Sequence, residues 1–269
     1  MAFTVNGATR VIFIIGDPIA QVKSPEGMTK AFAARGKNAV VVPAHVAPRD
    51  LAAFVAGASL ARNIDGILVT IPHKFACHGL CAQASARADF LGAVRTMRRL
   101  PGGGWEGDNF DGLGFLAGMR ARGCRPEDSC ALLIGAGGAG TAIAAALIEA
   151  GVSALAVHDD DHERRGRLTA RLRTVAKVPV TAGSRDPAGF TLGCNATPAG
   201  MRAGDPLPVD VARLSPDAFV GCVITAPAVS PLIVEARKIG CRTSVGADMY
   251  VAVQELMLEF LLAGEITMA

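Results

Sequence analysis

Nineteen consecutive residues, Cys130 to Ile148, carry no charge, and in their midst lies Gly135-Ala-Gly137-Gly-Ala-Gly140. A run of that length and polarity could span a membrane. The glycines argue otherwise, because their density inside the run, with another at Gly151, breaks any single helix into shorter pieces. A strand over CALLIG, a glycine turn and a helix over TAIAAALIEAG account for the run, and a second apolar strand, ALAVHD, then ends at Asp159. Strand, glycine turn, helix and strand within about thirty residues make a βαβ unit, and such units build parallel sheets covered by helices.

In this setting G-x-G-x-x-G reads as a dinucleotide fingerprint. Gly135 permits the tight turn, Gly137 lets backbone approach a pyrophosphate, and Gly140 allows the helix to pack close to the strand. The start of the helix supplies unpaired N–H groups to phosphate, so Ala136, Gly138 and Ala139 belong to the expected cofactor site. Asp159, at the tip of the second strand, is expected to accept hydrogen bonds from the adenosine ribose. A carboxylate there repels a 2′-phosphate, so the expectation is NAD rather than NADP. Asp160, Asp161 and His162 of HDDDHE read as a solvated loop and receive no role.

Elsewhere, too, apolar runs alternate with helical patterns. RVIFIIG (10–16) reads as a strand, followed by a helix over SPEGMTKAFAARG with Ser24 at its N-cap, Pro25 at N1 and Gly36 at its stop. AVVVPAHV, PRDLAAFVAGA and DGILVTIP continue as strand, helix and strand, which predicts a mostly parallel sheet. LPGGGW (100–105) is a turn between two short strands, and DGLGFLAGMRARG opens a helix. The pattern restarts at Asp128. The expected fold is α/β in two domains, 1–110 and 111–246, the second a doubly wound dinucleotide-binding domain. An apolar helix within 247–269 is expected to pack back on the first.

A chain of 269 residues that is 51% hydrophobic can bury two cores. A net charge of +3, with basic residues scattered, argues against a nucleic-acid partner. Seven cysteines, none in a C-x-x-C pair and none behind a secretory leader, predict reduced thiols in the cytoplasm. No membrane partner is expected, and the chain is expected to act as a monomer or homodimer.

VTIPHKFACHGLC (69–81) gathers His73, Cys77, His78 and Cys81, all metal-binding types, around Lys74. Cys77 and Cys81 would share a helical face, but His73 precedes the helix and His78 points elsewhere. No standard ligand spacing results, so no metal is expected. Small apolar thiols suit a buried face. Lys74 follows Pro72 at the carboxyl end of a strand, where open α/β sheets place ligands. A cation in the first turn of a helix is a local inconsistency of the kind found at functional sites. The residues alone also allow a solvated lysine, and an Asp111 that simply caps the helix from Gly112.

Taken in order, the motifs resemble the shikimate and quinate dehydrogenase family over nearly the whole chain. They are GDPIAQVKSP (16–25), VTIPHK (69–74), GAVRT (92–96), DNFDGLG (108–114), GAGGAG (135–140), NATPAGM (195–201) and PAVSPL (227–232). The resemblance implies an N-terminal substrate domain and a C-terminal Rossmann domain with a cleft between them. It implies that Lys74 is the catalytic lysine and Asp111 the aspartate that works beside it. It further implies substrate contacts from Ser24, Thr70 and Gln254, and cofactor contacts from Asn195, Thr197 and Pro198.

The departures from the family pattern concentrate in the substrate pocket. Val22 replaces the first serine of S-x-S, Leu68 the asparagine of N-V-T, Arg95 that of A-V-N-T, and Thr225 the tyrosine of V-Y-x-P. Gln254 lies one residue later after Met249 than the family pattern has it. Each buried substrate hydrogen bond left unmade costs about 1–3 kcal/mol. The expected activity is therefore NAD-dependent interconversion of a ring hydroxyl and ketone on a shikimate- or quinate-like cyclohexane or cyclohexene carboxylate. Activity on shikimate itself is expected to be weak or altered, with Arg95 as a new substrate contact. A non-catalytic NAD-binding sensor is the alternative, and retention of both Lys74 and Asp111 favours the enzyme.

Overall fold

The computed structural model describes residues 5–20 and 22–263. The chain divides into two compact units, one running to Phe110 and resuming at Gln254, the other Asp111–Val253.

The first unit contains β1 (Arg10–Gly16), α1 (Ser24–Ala34), β2 (Ala39–His45), α2 (Leu51–Leu60), β3 (Ile64–Val69), α3 (Lys74–His78), β4 (Gln83–Ala84), α4 (Ala86–Leu91), β5 (Thr96–Arg99) and β6 (Trp105–Asp108). Its sheet has the order β2-β1-β3-β5-β6-β4. The three strands from the βαβαβ pattern are parallel. β5 runs antiparallel to both β3 and β6, so the sheet is mixed. The glycine turn before Trp105 accounts for the β5–β6 pair: Gly103 and Gly104 adopt φ of 91° and 80°, which lets a short hairpin close. Ile67, Met97 and Trp105 lie at the centre of the core on this sheet. Helix α1 begins one residue earlier than the N-cap pattern predicts. Lys23 takes the cap position without a side-chain bond and buried Ser24 is the first helical residue.

The second unit contains α5 (Asp111–Ala121), β7 (Cys130–Ile134), α6 (Gly138–Glu149), β8 (Ala154–His158), α7 (His162–Arg173), β9 (Val180–Ala182), β10 (Leu192–Asn195), β11 (Phe219–Cys222), α8 (Pro231–Ile239), β12 (Arg242–Ser244) and the start of α9 (Gly246–Ala263). Every strand pair is parallel, in the order β12-β11-β10-β7-β8-β9. Strand order reverses beside β7, the place where doubly wound sheets receive ligands. The uncharged run from Cys130 is thus β7, a turn and α6. Among the described residues no helix is long and apolar enough to cross a membrane.

Glycines set the helix packing of this unit. A Cβ on Gly112 would lie 2.1 Å from the Ala142 carbonyl oxygen, so α5 and α6 touch backbone to backbone. Gly114 and Gly118 seat α5 in the same way against Val253 and Asp248 of α9. The second unit consequently extends past residue 246, through the first turns of α9. From Gln254 on, the same helix belongs to the first unit. There Leu261 fills the space over Gly66, and Phe260 packs 5.5 Å from the Phe110 ring.

Candidate active site

The turn between β7 and α6 can be built only from glycine at two points. Gly135 has φ 102°, and a Cβ on Gly140 would lie 1.8 Å from the Gly135 carbonyl oxygen. Gly137 differs, because a Cβ there would meet no protein atom within 4 Å. It faces a cavity of about 790 Å³ lined also by Gly135, Asp159, Thr197 and Pro198. A glycine left empty on the side that the protein does not fill is the cradle a pyrophosphate requires, so these residues fit a dinucleotide. Gly138 and Ala139 form the first turn of α6, whose N–H groups lack intrahelical acceptors.

Several of the expected cofactor residues bond one another. Ala136 N–H donates to Asp159 Oδ2 at 2.7 Å, and Asp161 N–H donates to Asp159 Oδ1 at 2.9 Å. The Asp159 carboxylate thus braces the glycine turn through one hydrogen bond on each oxygen, and Asp159 still lines the cavity. Asn195 is buried behind the cavity wall. Its Oδ1 accepts from Thr197 N–H at 3.0 Å and Thr197 Oγ at 2.7 Å, while its Nδ2 donates to Cys222 Sγ. Asn195 shapes the wall that Thr197 and Pro198 present.

Arg164, Arg185 and Arg202 line the same cavity. Arg185 pairs with Asp160 at 2.6 Å, and Arg164 lies 3.1 Å from Asp161 and 3.7 Å from Asp159. Arg185 and Arg202 follow β9 and β10, far from the fingerprint in sequence and inside no recognisable spacing, so nothing in the chain marks them beforehand. His158, the last residue of β8, also lines the cavity.

In the first unit Lys74 opens α3 at the carboxyl end of the parallel strands. Its backbone is anchored on both sides: the buried ring of His73 bonds the Val46 carbonyl at 2.7 Å, and Lys74 O accepts from Val94 N–H at 3.0 Å. Thr70 sits at the same level, its N–H on the Ile15 carbonyl and its methyl packed over Gly16. Gln254 places its amide against Gly27, in the first turns of α1 that begin with Ser24, so the shifted register still brings it to this helix. Arg95 is fixed through its backbone, donating to Asp108 O at 2.8 Å and accepting from Val69 N–H at 2.7 Å. Asp108 is itself buried and accepts from Ser85, Arg87 and Asn109 N–H. Leu68 is buried too, so that departure adds to the core. Asp111, likewise buried, opens α5 in the second unit.

The four metal-binding types near Lys74 go separate ways. Helix α3 ends at His78, so Cys81 is not on a helical face with Cys77. It donates instead to the Cys77 carbonyl at 3.2 Å. Burial, then the neighbouring Cys81, pushes the Cys77 thiol up to about 12. Burial, then Asp89, takes the Cys81 thiol to about 11. His78 bonds Asp89 at 2.9 Å. Among the described residues no three His, Cys, Asp or Glu side chains are grouped to hold a metal.

An all-parallel doubly wound unit with a glycine cradle, joined in one chain to an α/β unit carrying a lysine at its sheet edge, defines an NAD(P)-dependent alcohol dehydrogenase. Residues 14–97 match the shikimate dehydrogenase substrate binding domain. A shikimate dehydrogenase (NADP(+)) of Rhodospirillum rubrum is 36% identical, over 91% of this chain and 89% of its own length. That of Acidiphilium cryptum is 37% identical, over 91% and 87%. A crystal structure of a shikimate dehydrogenase in complex with NADP+ has a TM-score of 0.88 and 28% identity, covering 97% of this chain and 92% of that one. The chain belongs to the shikimate dehydrogenase family. The expectation of NAD over NADP is corrected by these relatives, which are NADP(+) enzymes. The counterweight to Asp159 lies in the same cavity, which Arg164, Arg185 and Arg202 also line.

Proposed function

We propose that this protein interconverts a ring hydroxyl and a ketone on a shikimate- or quinate-like hydroxylated ring carboxylate, with NADP(H) as cofactor. The observation that carries this reading is the empty cradle at Gly137, opening on a cavity lined by Arg164, Arg185 and Arg202. Guanidiniums suit a dinucleotide with an extra phosphate. When bound, the nicotinamide exchanges hydride with the substrate carbon. Gly137, Gly138 and Ala139 would hold the pyrophosphate, and Thr197 and Pro198 would bound the cavity wall.

The remaining chemistry belongs to this chain. The hydroxyl proton must leave as the ketone forms, and the motif match assigns it to Lys74 with Asp111 as the partnering carboxylate. Ser24, Thr70 and Gln254 would orient ring hydroxyls and carboxylate, with the Arg95 guanidinium adding a planar fork of donors. Since Val22 lacks a hydroxyl, turnover of shikimate itself should fall below that of a dedicated biosynthetic enzyme. The test is NADP+ reduction followed by absorbance while shikimate, quinate and related hydroxylated ring carboxylates are supplied. Absence of turnover with every member of the panel would sink the reading.

A further inference from the structure

Ser230 stands at the N-cap of α8 with the extended backbone of a capping residue, φ −68° and ψ 156°. A serine there ordinarily accepts from an N–H of the first helical turn and stabilises the helix. Ser230 does not. Its side chain makes no cap bond, and its hydroxyl donates instead to Cys222 Sγ at 3.3 Å. The same sulfur accepts from Asn195 Nδ2 at 3.3 Å. All three residues are 1% exposed. A thiol sulfur is a weak acceptor, so two donors turned toward it, one of them taken from a helix cap, need a reason.

The bonds that continue from Asn195 supply one. Cys222 ends β11 directly beside Asn195 at the end of β10. The Asn195 amide has an accepting end and a donating end, and Thr197 takes the accepting one, since its N–H and its hydroxyl both donate to Oδ1. Thr197 Oγ in turn accepts from Ala199 N–H at 3.2 Å. With Oδ1 held there, Nδ2 is turned to β11, where burial demands an acceptor for it. Side-chain bonds thus run without a break from Ser230 through Cys222 and Asn195 to Thr197, which lines the cofactor cavity.

We infer that Cys222 is a positioning residue for the cofactor: its sulfur holds the Asn195 amide with the oxygen toward Thr197, and so fixes the Thr197–Pro198 wall against which the dinucleotide lies. The inference rests on the cofactor reading above and names a residue that this reading does not contain. Enclosed as it is, the sulfur acts only through Asn195. Its removal has unequal consequences for the two donors. Ser230 can turn back to cap α8. Asn195 can only flip or shift, and either change breaks its bonds to Thr197. The loss therefore falls on the cavity wall more than on α8.

The experiment is calorimetric titration of the full chain with NADP+ under reductant, with Tm measured on the same samples, for wild type, Cys222→Ala, Cys222→Ser and Cys194→Ala. Cys222→Ala should weaken NADP+ binding about three- to tenfold, the effect of one hydrogen bond. Cys222→Ser keeps an acceptor for both donors and should recover most of that loss. Cys194→Ala is the control for a merely structural role. Cys194 precedes Asn195 on β10, is equally buried, and its sulfur makes no hydrogen bond among the described residues. It should lose Tm through its cavity, as Cys222→Ala does, and keep wild-type affinity. If Cys222→Ala does not fold, Cys222→Val decides, because it fills the space and cannot accept. Wild-type affinity in whichever of these two variants folds, or an equal loss of affinity in Cys194→Ala, overturns the inference alone. No measurable NADP+ binding by wild type overturns the cofactor reading, and this inference with it.

Discussion

Lys74 is held by its backbone more firmly than a surface lysine needs to be, between the buried His73 ring and the Val94 amide. If it carries the proton, Lys74→Ala should lower kcat about 10²–10⁴-fold and leave the NADP+ dissociation constant unchanged. Near-normal kcat on the best substrate of the panel would remove Lys74 from the chemistry. The pocket departures can be tested by partial reversion. A guanidinium at residue 95 suits a carboxylate that a serine at residue 22 no longer binds, so Arg95→Asn alone should not improve shikimate turnover. Val22→Ser with Arg95→Asn should raise kcat/KM for shikimate at least about tenfold, or about 1.4 kcal/mol. Equal values for wild type and double variant would show the two positions to be neutral. What sequence could not supply at this scale is direction. Asp159 stands where a ribose-binding acid is expected, and the two backbone N–H groups that also bond it are set by the fold of the glycine turn, which no spacing announces.

The elements most legible in sequence were those whose pattern is local. β7, α6 and β8 follow from an uncharged run punctuated by glycine, and β1, β2 and β3 from apolar runs separated by helical periods. Strand direction past β3 was not legible, because β5 returns antiparallel to β3 only after the chain has passed through α3, β4 and α4. The two-residue β4 was too short to show any period. α9 reads as one apolar helix, and only packing shows that its first turns serve Gly114 and Gly118 while its later turns serve Gly66. Glycines therefore have two different jobs in this protein, and alanine separates them. Gly112→Ala puts a Cβ 2.1 Å from a helix carbonyl that cannot move aside, so it should destabilise by about 1–3 kcal/mol, seen as a lower Tm. At Gly137 a Cβ meets nothing and φ is −74°, so Gly137→Ala should keep the wild-type Tm. It should instead weaken NADP+ binding at least about tenfold by filling the cradle. Unchanged NADP+ affinity in Gly137→Ala, measured by calorimetry, would show that the cradle is not where the cofactor lies.

For the molecule as a whole, seven free cysteines in two units tie stability to alkaline pH. Cys77 and Cys81 lie in the first unit, Cys124 and Cys194 in the second, and burial is the leading cause of a raised thiol in all four. Desolvation penalises the thiolate, so the folded chain keeps these protons after the unfolded chain has released them. A group raised in the folded state contributes stability that is complete below the unfolded titration near 9.0 and is lost as pH climbs toward the folded value, about 12 for Cys77. Stability should therefore be level on this account from pH 7.5 to about pH 9 and then decline. The limiting slope is about 1.4 kcal/mol per pH unit for each fully buried thiol. Cys77 is completely buried and should approach that slope, whereas Cys81 and Cys124 are less enclosed and should add smaller amounts. Urea unfolding under reductant at pH 7.5, 9 and 10.5 would show the decline, and Cys77→Ala, less stable at neutral pH from its cavity, should fall less steeply. The variant comparison matters because other groups also titrate in this range. A wild-type slope identical to that of Cys77→Ala would mean that the buried thiol ionises without cost, and a flat profile to pH 10.5 would mean the same for all four.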